Sequence, residues 1–409
     1  MKAAPHLLPR RVAALLDQGL VSGTNFLLFL YCARTLGQDA WGIFGYGYAA
    51  AIFLQGFQRS MVTIPMIAFG ANKAHDDAEI AQWTRRNLGL TLLSTATCLL
   101  TSVLGHWVGN TWLATSALFA ACLLVPINLQ EFGRRTLILR DRWSRVIWMA
   151  TVYAVLVGGV TISWPTAVDR SWLPAIAVGC GSLGAVAAYL AGSGLPLIGR
   201  SQPEHRQSSE VRDFSVWASC SHLGFSGYNF GIQSVLGSMA GPAALGAFHA
   251  CRALVQPVNV LIAAMDGVDK PRATRAYLRE GRLGLQRTMQ RSLLLMGMIG
   301  GLYLLTLWAA DHAILAYAFG DRYRDQTTVL DVWCVVGILM IVAQPIESAL
   351  YVIRRTRDMF VSRLAASALA LTTALLTVPS LGAVGALLAM ALGYAVSGLL
   401  GVWMVRRHA

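Results

Sequence analysis

The sequence predicts an all-α polytopic membrane protein with twelve transmembrane helices in two six-helix lobes. The chain of 409 residues is 56% hydrophobic and only 13% charged, and its apolar residues fall in long runs separated by short polar gaps. A soluble protein of this length would divide into two or three domains with charged surfaces, and this composition cannot supply them. The bilayer is therefore the first expected partner.

Hydropathy places twelve spans along the chain, at about 20 residues for each crossing. They lie near residues 12–35, 42–68, 87–108, 113–138, 145–164, 172–198, 214–238, 243–268, 291–310, 327–352, 361–379 and 382–405. The basic N-terminus leads into an apolar stretch that is interrupted at Asp17 and runs past residue 30, so we expect a retained first span and not a cleaved signal. An even number of crossings places both termini on one side.

Lysine and arginine are divided unequally between alternate connections. Most of the 33 Lys and Arg fall on the side of the termini, and the positive-inside rule makes that side cytoplasmic. The other side holds Arg34, Arg170, Arg322 and Arg324. The net charge of +13 is therefore explained by membrane orientation, and no nucleic-acid partner is expected.

No connection is long enough to form a domain, so function is expected within the membrane. The polar stretch 199–212 is interpreted as a cytoplasmic linker between an N-lobe, 1–198, and a C-lobe, 213–409. The other large connections are 269–290 and the external 311–326. The seven cysteines form no CxxC pair and have no histidine at ligand spacing, so we expect no metal site, disulfide framework or cofactor.

Sliding the chain against itself by 204 residues reveals an internal repeat. The matched pairs are Ser22/Ser226, Gly23/Gly227, Asn25/Asn229, Phe26/Phe230, Gly37/Gly241, Ala40/Ala244, Gly42/Gly246 and Phe44/Phe248. Six spans in each half give the halves one orientation, and the sequence therefore predicts a parallel pseudo-two-fold repeat. Transporters built in this way carry the substrate path between the halves.

Polar residues recur at helical spacing on the four spans nearest this repeat. They are Gln18, Ser22 and Asn25 on span 1; Tyr48, Gln55 and Arg59 on span 2; His222, Ser226, Asn229 and Gln233 on span 7; and His249, Arg252, Gln256 and Asn259 on span 8. We predict that the bulkier members line a water-filled substrate cavity. Interhelical hydrogen bonding is the alternative role, above all for the serines.

Arg59 and Arg252 indicate the charge of the expected cargo. An arginine at the centre of a span costs about 2.5–3.5 kcal/mol, and a water-filled cavity removes most of that cost. Snorkelling to the cytoplasmic headgroups is the alternative for Arg59. Because guanidinium groups bind phosphate and carboxylate bidentately, the sequence predicts an anionic cargo such as a phosphate diester or a diphosphate.

Carboxylates are few within the predicted spans, and we single out Asp17, Glu131, Asp331 and Glu347. Each could bind a coupling H⁺ or Na⁺, or could pair with a nearby arginine. Glu347 is the most deeply placed, and Pro345 before it could free backbone carbonyls. We take Glu347 and Asp17 as the coupling-ion candidates.

One N-terminal pattern comprises Asp17-Gln18, Ser22-Gly-Thr-Asn25-Phe26, Ala33-Arg34-Thr-Leu36-Gly37, Trp41-Gly42-Ile-Phe44 and Pro65. It resembles the opening of polysaccharide-transporter (Wzx-like) flippases of the multidrug/oligosaccharidyl-lipid/polysaccharide exporter superfamily. The resemblance covers roughly the first 70 residues. It implies a V-shaped pair of six-helix lobes with spans 1, 2, 7 and 8 around a central cavity, and alternating access.

The resemblance also implies a cargo, an undecaprenyl-diphosphate-linked oligosaccharide, moved from the cytoplasmic to the periplasmic leaflet for surface polysaccharide or exopolysaccharide synthesis. We therefore expect a monomeric flippase and no enzyme, with membrane lipids, the lipid-linked oligosaccharide and polysaccharide polymerase machinery as partners. A cation-coupled multidrug exporter of the same superfamily is one alternative, and it would favour carboxylates over arginines in the cavity.

A membrane glycan polymerase or ligase is the other alternative. Such an enzyme needs a sizeable external loop, and the longest external segment, DHAILAYAFGDRYRDQ, is short. The segment contains a group of charged residues, Asp321, Arg322, Arg324 and Asp325. We interpret these residues as a solvated group and not as an active site.

Overall fold

The computed structural model describes residues 7–70, 77–165, 167–193, 209–353 and 356–408, and these ranges are largely helical and contain no strand. The long helices are α1 Leu7–Thr35, α2 38–70, α3 Asp77–Trp107, α4 Thr111–Leu139, α5 Trp143–Ile162, α6 Leu173–Ser193, α7 209–240, α8 242–280, α9 282–309, α10 Thr327–Val352, α11 356–381 and α12 383–408. The short helix Asp311–Phe319 and the 3-10 turns Arg170–Trp172 and Asp321–Tyr323 lie in connections. The predicted all-α fold class is confirmed.

Single non-helical glycines separate some of these helices without a loop. Gly281 (φ 62°, ψ −144°) stands between α8 and α9, and Gly382 (φ 54°, ψ −127°) stands between α11 and α12. Only glycine adopts such conformations readily. Gly284 and Gly385 follow three residues later, where a Cβ would lie 2.5 and 2.6 Å from a backbone carbonyl oxygen eight residues earlier in the chain. Each pair of glycines therefore forms a one-residue corner between adjacent helices.

Several helices extend beyond the apolar runs that predicted them. α3 begins at Asp77 although hydropathy placed the span from residue 87, and the acidic first turn of Asp77 and Glu79 suits a helix N-terminus. The segment 269–290, predicted as a cytoplasmic connection, is helical on both sides of Gly281. Hydropathy marks the part of a helix that crosses hydrocarbon, whereas its backbone hydrogen bonds continue into water.

Helix α3 shows that the outer surface of the protein is apolar. Its inward face carries Asn87, Thr91 and Ser94, all buried, while Leu92 and Leu93 on the other face are exposed. Water would favour the opposite arrangement, whereas polar residues between helices are typical inside a bilayer. Eight continuous helical runs in the described ranges are long and apolar enough to cross a membrane. The chain is a multi-pass membrane protein.

The chain forms two compact units. Unit 1 comprises Met1–Cys32 and Ile43–His222, and unit 2 comprises Ala33–Gly42 and Leu223–Ala409. Most of the predicted linker 199–212 lies outside the described residues, and its last four residues open α7. Buried apolar clusters hold each unit: Val62, Met66, Ile80, Trp83, Phe132 and Val211 in unit 1, and Ala273, Leu285, Met289, Ala349 and Val352 in unit 2.

Candidate functional site

Five charged residues of unit 1 form one group, called here the charged cluster: Asp17, Arg59, Glu131, Arg134 and Arg135. Glu131 Oε1 lies 2.9 Å from Arg135 Nε and 3.3 Å from Arg59 Nε, and its Oε2 lies 3.8 Å from Arg134 Nη1. Arg134 Nε lies 3.0 Å from Asp17 Oδ2. Three guanidinium groups from α2 and α4 thus meet two carboxylates from α1 and α4.

A π-helical turn, Arg59–Thr63, carries Arg59 within α2. Pro65 explains the turn, because proline has no N–H and its ring clashes with the carbonyl four residues earlier in an α-helix. The wider turn avoids this clash, and the N–H of Ile64 bonds to the carbonyl of Arg59, five residues back. Such π-turns are frequent at functional sites. Here Pro65 shapes the backbone from which the Arg59 side chain projects.

The α4 members of the charged cluster follow from helical spacing. Glu131, Arg134 and Arg135 stand at i, i+3 and i+4, which brings their side chains together on one face. The sequence analysis predicted neither arginine as a site residue, since both stand at the polar end of a predicted span. The signal that could have found them is the pattern E-x-x-R-R, in which two arginines follow the carboxylate of Glu131 by three and four residues.

Exposure differs sharply between the two signs of charge in the cluster. The Arg59 side chain is 44% exposed and that of Arg135 is 34% exposed. The carboxylate side chains of Glu131 and Asp17 are only 6% and 3% exposed. Asp17 Oδ1 is buried without a hydrogen-bond partner among the described residues. The charge that the cluster presents at its surface is therefore positive.

Two predicted amide residues join the charged cluster. Gln55 is buried, and its Oε1 accepts a hydrogen bond from Arg59 Nη2 at 3.1 Å while its Nε2 donates to the carbonyl of Ile127 at 3.2 Å. Gln18 is exposed, and its Oε1 accepts from Arg134 Nη2 at 3.5 Å. The structure thus brings together four of the predicted site residues of unit 1: Asp17, Gln18, Gln55 and Arg59.

The other two predicted residues of unit 1 make contacts between helices. Asn25 accepts a hydrogen bond from the hydroxyl of Tyr153. His222 Nε2 lies 2.9 Å from the carbonyl oxygen of Phe53, so this nitrogen carries the proton, and the imidazole stacks on the Phe53 ring and meets the edge of Phe57. Both side chains therefore take part in contacts between helices.

The remaining predicted cavity residues belong to unit 2. His249 is buried, with its Nε2 lacking a hydrogen-bond partner among the described residues, and Arg252 is half-buried one turn further along α8. Gln256 is exposed and accepts a hydrogen bond from Asn259 Nδ2 at 3.4 Å. Arg59 and Arg252, predicted to act on one cargo, thus lie in different units.

Glu347, the second coupling-ion candidate, is already paired. Its Oε2 lies 2.5 Å from Arg363 Nη2, and both side chains are largely buried. They line a small cavity with Tyr228 and Tyr394, and the side chain of Asn229 hydrogen-bonds to Tyr394. In the described part of unit 2, this carboxylate therefore has a cationic partner and lies beside two tyrosines.

A second paired carboxylate of unit 2 is Asp266 at the polar end of α8. It lies 2.6 Å from Lys270 Nζ and accepts hydrogen bonds from Gln344 at 2.6 Å and Ser348 at 3.1 Å. Within the described ranges, no group of three or more His, Cys, Asp or Glu residues is placed to hold a metal. The seven cysteines are unpaired.

No protein-family model and no curated protein sequence matches the chain, but solved structures do. A multidrug resistance MATE family transporter of the MOP superfamily is similar in its inward-facing conformation, with 15% identity, 95% of this chain and 94% of that chain covered, and a TM-score of 0.73. An outward-facing conformation of such a transporter matches at 17% identity, with 97% and 94% covered and a TM-score of 0.61.

A MOP superfamily transporter from Pyrococcus furiosus, described as having a binding pocket of reverse polarity that suggests a different function, is 15% identical to the chain. The match covers 97% of this chain and 91% of that chain, with a TM-score of 0.58. At such identities the likeness concerns the fold. The chain has the fold of MATE transporters, which have twelve transmembrane helices in two lobes.

Proposed function

We propose that this protein is a flippase that moves an oligosaccharide linked to undecaprenyl diphosphate from the cytoplasmic to the periplasmic leaflet by alternating access. The transporter fold and the resemblance of the first 70 residues to polysaccharide flippases support this proposal. We place the protein in a bacterial inner membrane with both termini cytoplasmic, acting as a monomer beside polysaccharide polymerase machinery. The sign of the charge that the charged cluster presents is the observation that carries the choice of cargo.

A ligand that reaches the charged cluster meets nitrogen donors before it meets oxygen acceptors. Arg59 and Arg135 are the exposed members, whereas Glu131 lies buried beneath them. An exposed guanidinium on a membrane helix needs water around it, because exposure to hydrocarbon is costly. Two planar guanidinium forks on one side of a wet site match the two anionic groups of a diphosphate.

The buried carboxylates have a different role in this proposal. Glu131 orients the three guanidinium groups and offsets their mutual repulsion while no cargo is bound. Arg134 remains paired with Asp17, so Arg59 and Arg135 are the groups that bind the diphosphate. The unpartnered Asp17 Oδ1 supports Asp17 as the residue that takes a coupling H⁺ or Na⁺, and the pairing of Glu347 with Arg363 disfavours Glu347.

A multidrug exporter is the second candidate, and one observation favours it. Asp17 and Glu131 are two carboxylates buried close together in unit 1, joined through Arg134. A cationic drug would need such acceptors, and the similar solved structures include transporters described as multidrug resistance proteins. The two candidates therefore differ in which charges of the same cluster contact the cargo.

Binding measured on the full-length protein in lipid nanodiscs separates the candidates. Arg59→Ala and Arg135→Ala should each weaken binding of a polyprenyl diphosphate by about tenfold or more, since hydrogen bonds to charged groups contribute about 1.5–3 kcal/mol. Arg287→Ala is the matched control, because that guanidinium is exposed and pairs only with Glu280 in the described structure. It should leave the affinity unchanged.

Two results would contradict the flippase. One is unchanged diphosphate affinity in both arginine variants, and the other is tight binding of an organic cation that Glu131→Gln abolishes. In cells, deleting the gene should cause lipid-linked intermediates to accumulate on the cytoplasmic face, with loss of surface glycan. Arg59→Ala should reproduce that defect at normal membrane levels of the protein.

A further inference from the structure

The tip of the α1–α2 hairpin, residues 33–42, belongs to unit 2, although the described remainder of α1 and α2 belongs to unit 1. We call these ten residues the hairpin tip. The charge pattern predicts that they lie on the external side of the membrane. Because the tip is covalently continuous with α1 and α2, any rearrangement of these helices pulls on the contacts that the tip makes within unit 2.

Arg322 makes the most specific of these contacts. Its Nη1 donates hydrogen bonds to the carbonyls of Thr35 at 3.0 Å and Leu36 at 2.8 Å. The C-terminal carbonyls of a helix lack partners within the helix and carry partial negative charge, so the guanidinium caps α1. In return, Gln38 Nε2 donates to the Arg322 carbonyl at 2.5 Å. The sequence analysis interpreted Arg322 as part of a solvated charge group; Arg322 is exposed, and it also makes these hydrogen bonds.

A second arginine predicted to lie on the external side makes a similar contact. Arg34 Nη1, in the hairpin tip itself, donates to the carbonyl of Tyr317 at 3.2 Å. Two of the four arginines that the sequence places outside, Arg34 and Arg322, therefore fasten the tip to the connection that follows α9. Most of these hydrogen bonds are exposed to solvent, so water can replace them when they break.

The two matched glycines of the repeat allow the tip to approach α8 closely. A Cβ on Gly42 would lie 1.9 Å from the carbonyl oxygen of Pro242, and a Cβ on Gly246 would lie 2.1 Å from that of Gln38. Both distances are far below any real Cβ contact. Gly42 and Gly246 are separated by the repeat offset of 204 residues, and so are Gln38 and Pro242. The contact is therefore symmetric, because each half of the repeat contributes one glycine and one carbonyl oxygen at equivalent positions, as at an isologous interface.

We propose that the hairpin tip is a latch, held by Arg322 and the Gly42/Gly246 contact, which releases from the rest of unit 2 when the transporter opens to the outside. The inference rests on the proposed transport function, although it concerns a different part of the molecule from the charged cluster. Backbone carbonyls accept the hydrogen bonds of the latch, and exposed bonds of this kind open at low cost. These are the properties that a contact made and broken in every cycle requires.

Hydrogen exchange followed by mass spectrometry on the full chain in nanodiscs, without any cargo, tests the latch. Arg322→Ala should speed exchange of peptides within residues 33–42 by about tenfold, the effect of about 1.4 kcal/mol in opening free energy. Arg324→Ala removes an exposed arginine two residues away and should change nothing. Gly42→Ala should also speed exchange, whereas Gly37→Ala, whose Cβ would meet nothing within 4 Å, should not.

Unchanged exchange of the tip in both Arg322→Ala and Gly42→Ala would overturn the latch. So would equal acceleration across α10, since that result would indicate general unfolding of unit 2. Arg322→Lys retains the positive charge and should give an intermediate rate. Because no cargo is present, failure of polyprenyl diphosphate binding would remove the flippase proposal and leave this result standing, and the reverse also holds.

Discussion

The two units arrange their buried charges differently. In unit 1, three guanidinium groups surround Glu131, and one of them also holds Asp17. In the described part of unit 2, Glu347 pairs with Arg363 and Asp266 pairs with Lys270. The group in unit 1 has an excess of positive charge, whereas each of these two pairs is neutral. A ligand that is selected by charge is therefore better served by unit 1.

The internal repeat clarifies this difference. At the offset of 204 residues, Asp17 corresponds to Ser221 and Arg59 corresponds to Ala263, whereas Gly42 corresponds to Gly246. The repeat thus keeps a residue that backbone geometry requires and does not keep the charges. A duplicated scaffold whose halves share close helix contacts can carry a binding site in one half only.

The largest effect is expected for Glu131→Gln. Three guanidinium groups would lose their common carboxylate, and breaking a buried ion pair from one side costs about 3–5 kcal/mol. Chemical unfolding in mixed micelles measures this loss. Glu280→Gln is the control, since its exposed pairing with Arg287 should contribute about 0–1 kcal/mol. Equal stability of the two variants would remove the distinction between the buried cluster and a surface pair.

A smaller effect is expected in unit 2 for Glu347→Gln, which removes the carboxylate that pairs with Arg363. The loss should be about 1.5–3 kcal/mol, the range for a hydrogen bond to a charged group, because the Glu347 side chain is 23% exposed whereas that of Glu131 is 6% exposed. The double variant Glu347→Leu/Arg363→Leu should recover most of it, because a buried ion pair can be replaced by apolar packing. A double-mutant cycle gives the coupling energy, and a coupling as large as that of the Glu131 cluster would contradict the comparison.

The smallest effect is expected at Asp169, between α5 and α6, and it supplies a baseline. The Ser171 hydroxyl and backbone N–H donate to this exposed carboxylate at 2.6 and 3.0 Å and lower the pKa of Asp169. A lowered folded-state pKa gives stability that is complete at neutral pH and is lost as pH falls through that pKa, below about 3.9. Ser171→Ala should therefore leave the unfolding midpoint at pH 7 almost unchanged and slightly flatten its acid dependence.

The helical class and the number of long helices could be predicted from the sequence, because hydrocarbon thickness fixes the length of an apolar run. The ends of α3, α8 and α9 could not. Residues 269–290 contain many arginines, and hydropathy assigns such a segment to a loop although arginine is a good helix former. The corner at Gly281 is a single residue, so no turn sequence of ordinary length marks the boundary between α8 and α9.

The candidate site was predicted in part. Asp17, Gln18, Gln55 and Arg59 were predicted from their polarity within apolar runs, and the structure brings them together. Arg134 and Arg135 were missed because a span end and an ion-pair network look alike in a linear charge count. The role of Pro65 was also missed. A π-turn has no characteristic residue composition and is recognised only from its hydrogen-bond pattern.

The one-residue corner at Gly281 also has a mechanical consequence. A long flexible loop between two helices absorbs the motion of either one, whereas a single residue provides no slack. The end of α8 and the start of α9 are therefore coupled, so a displacement of one displaces the other.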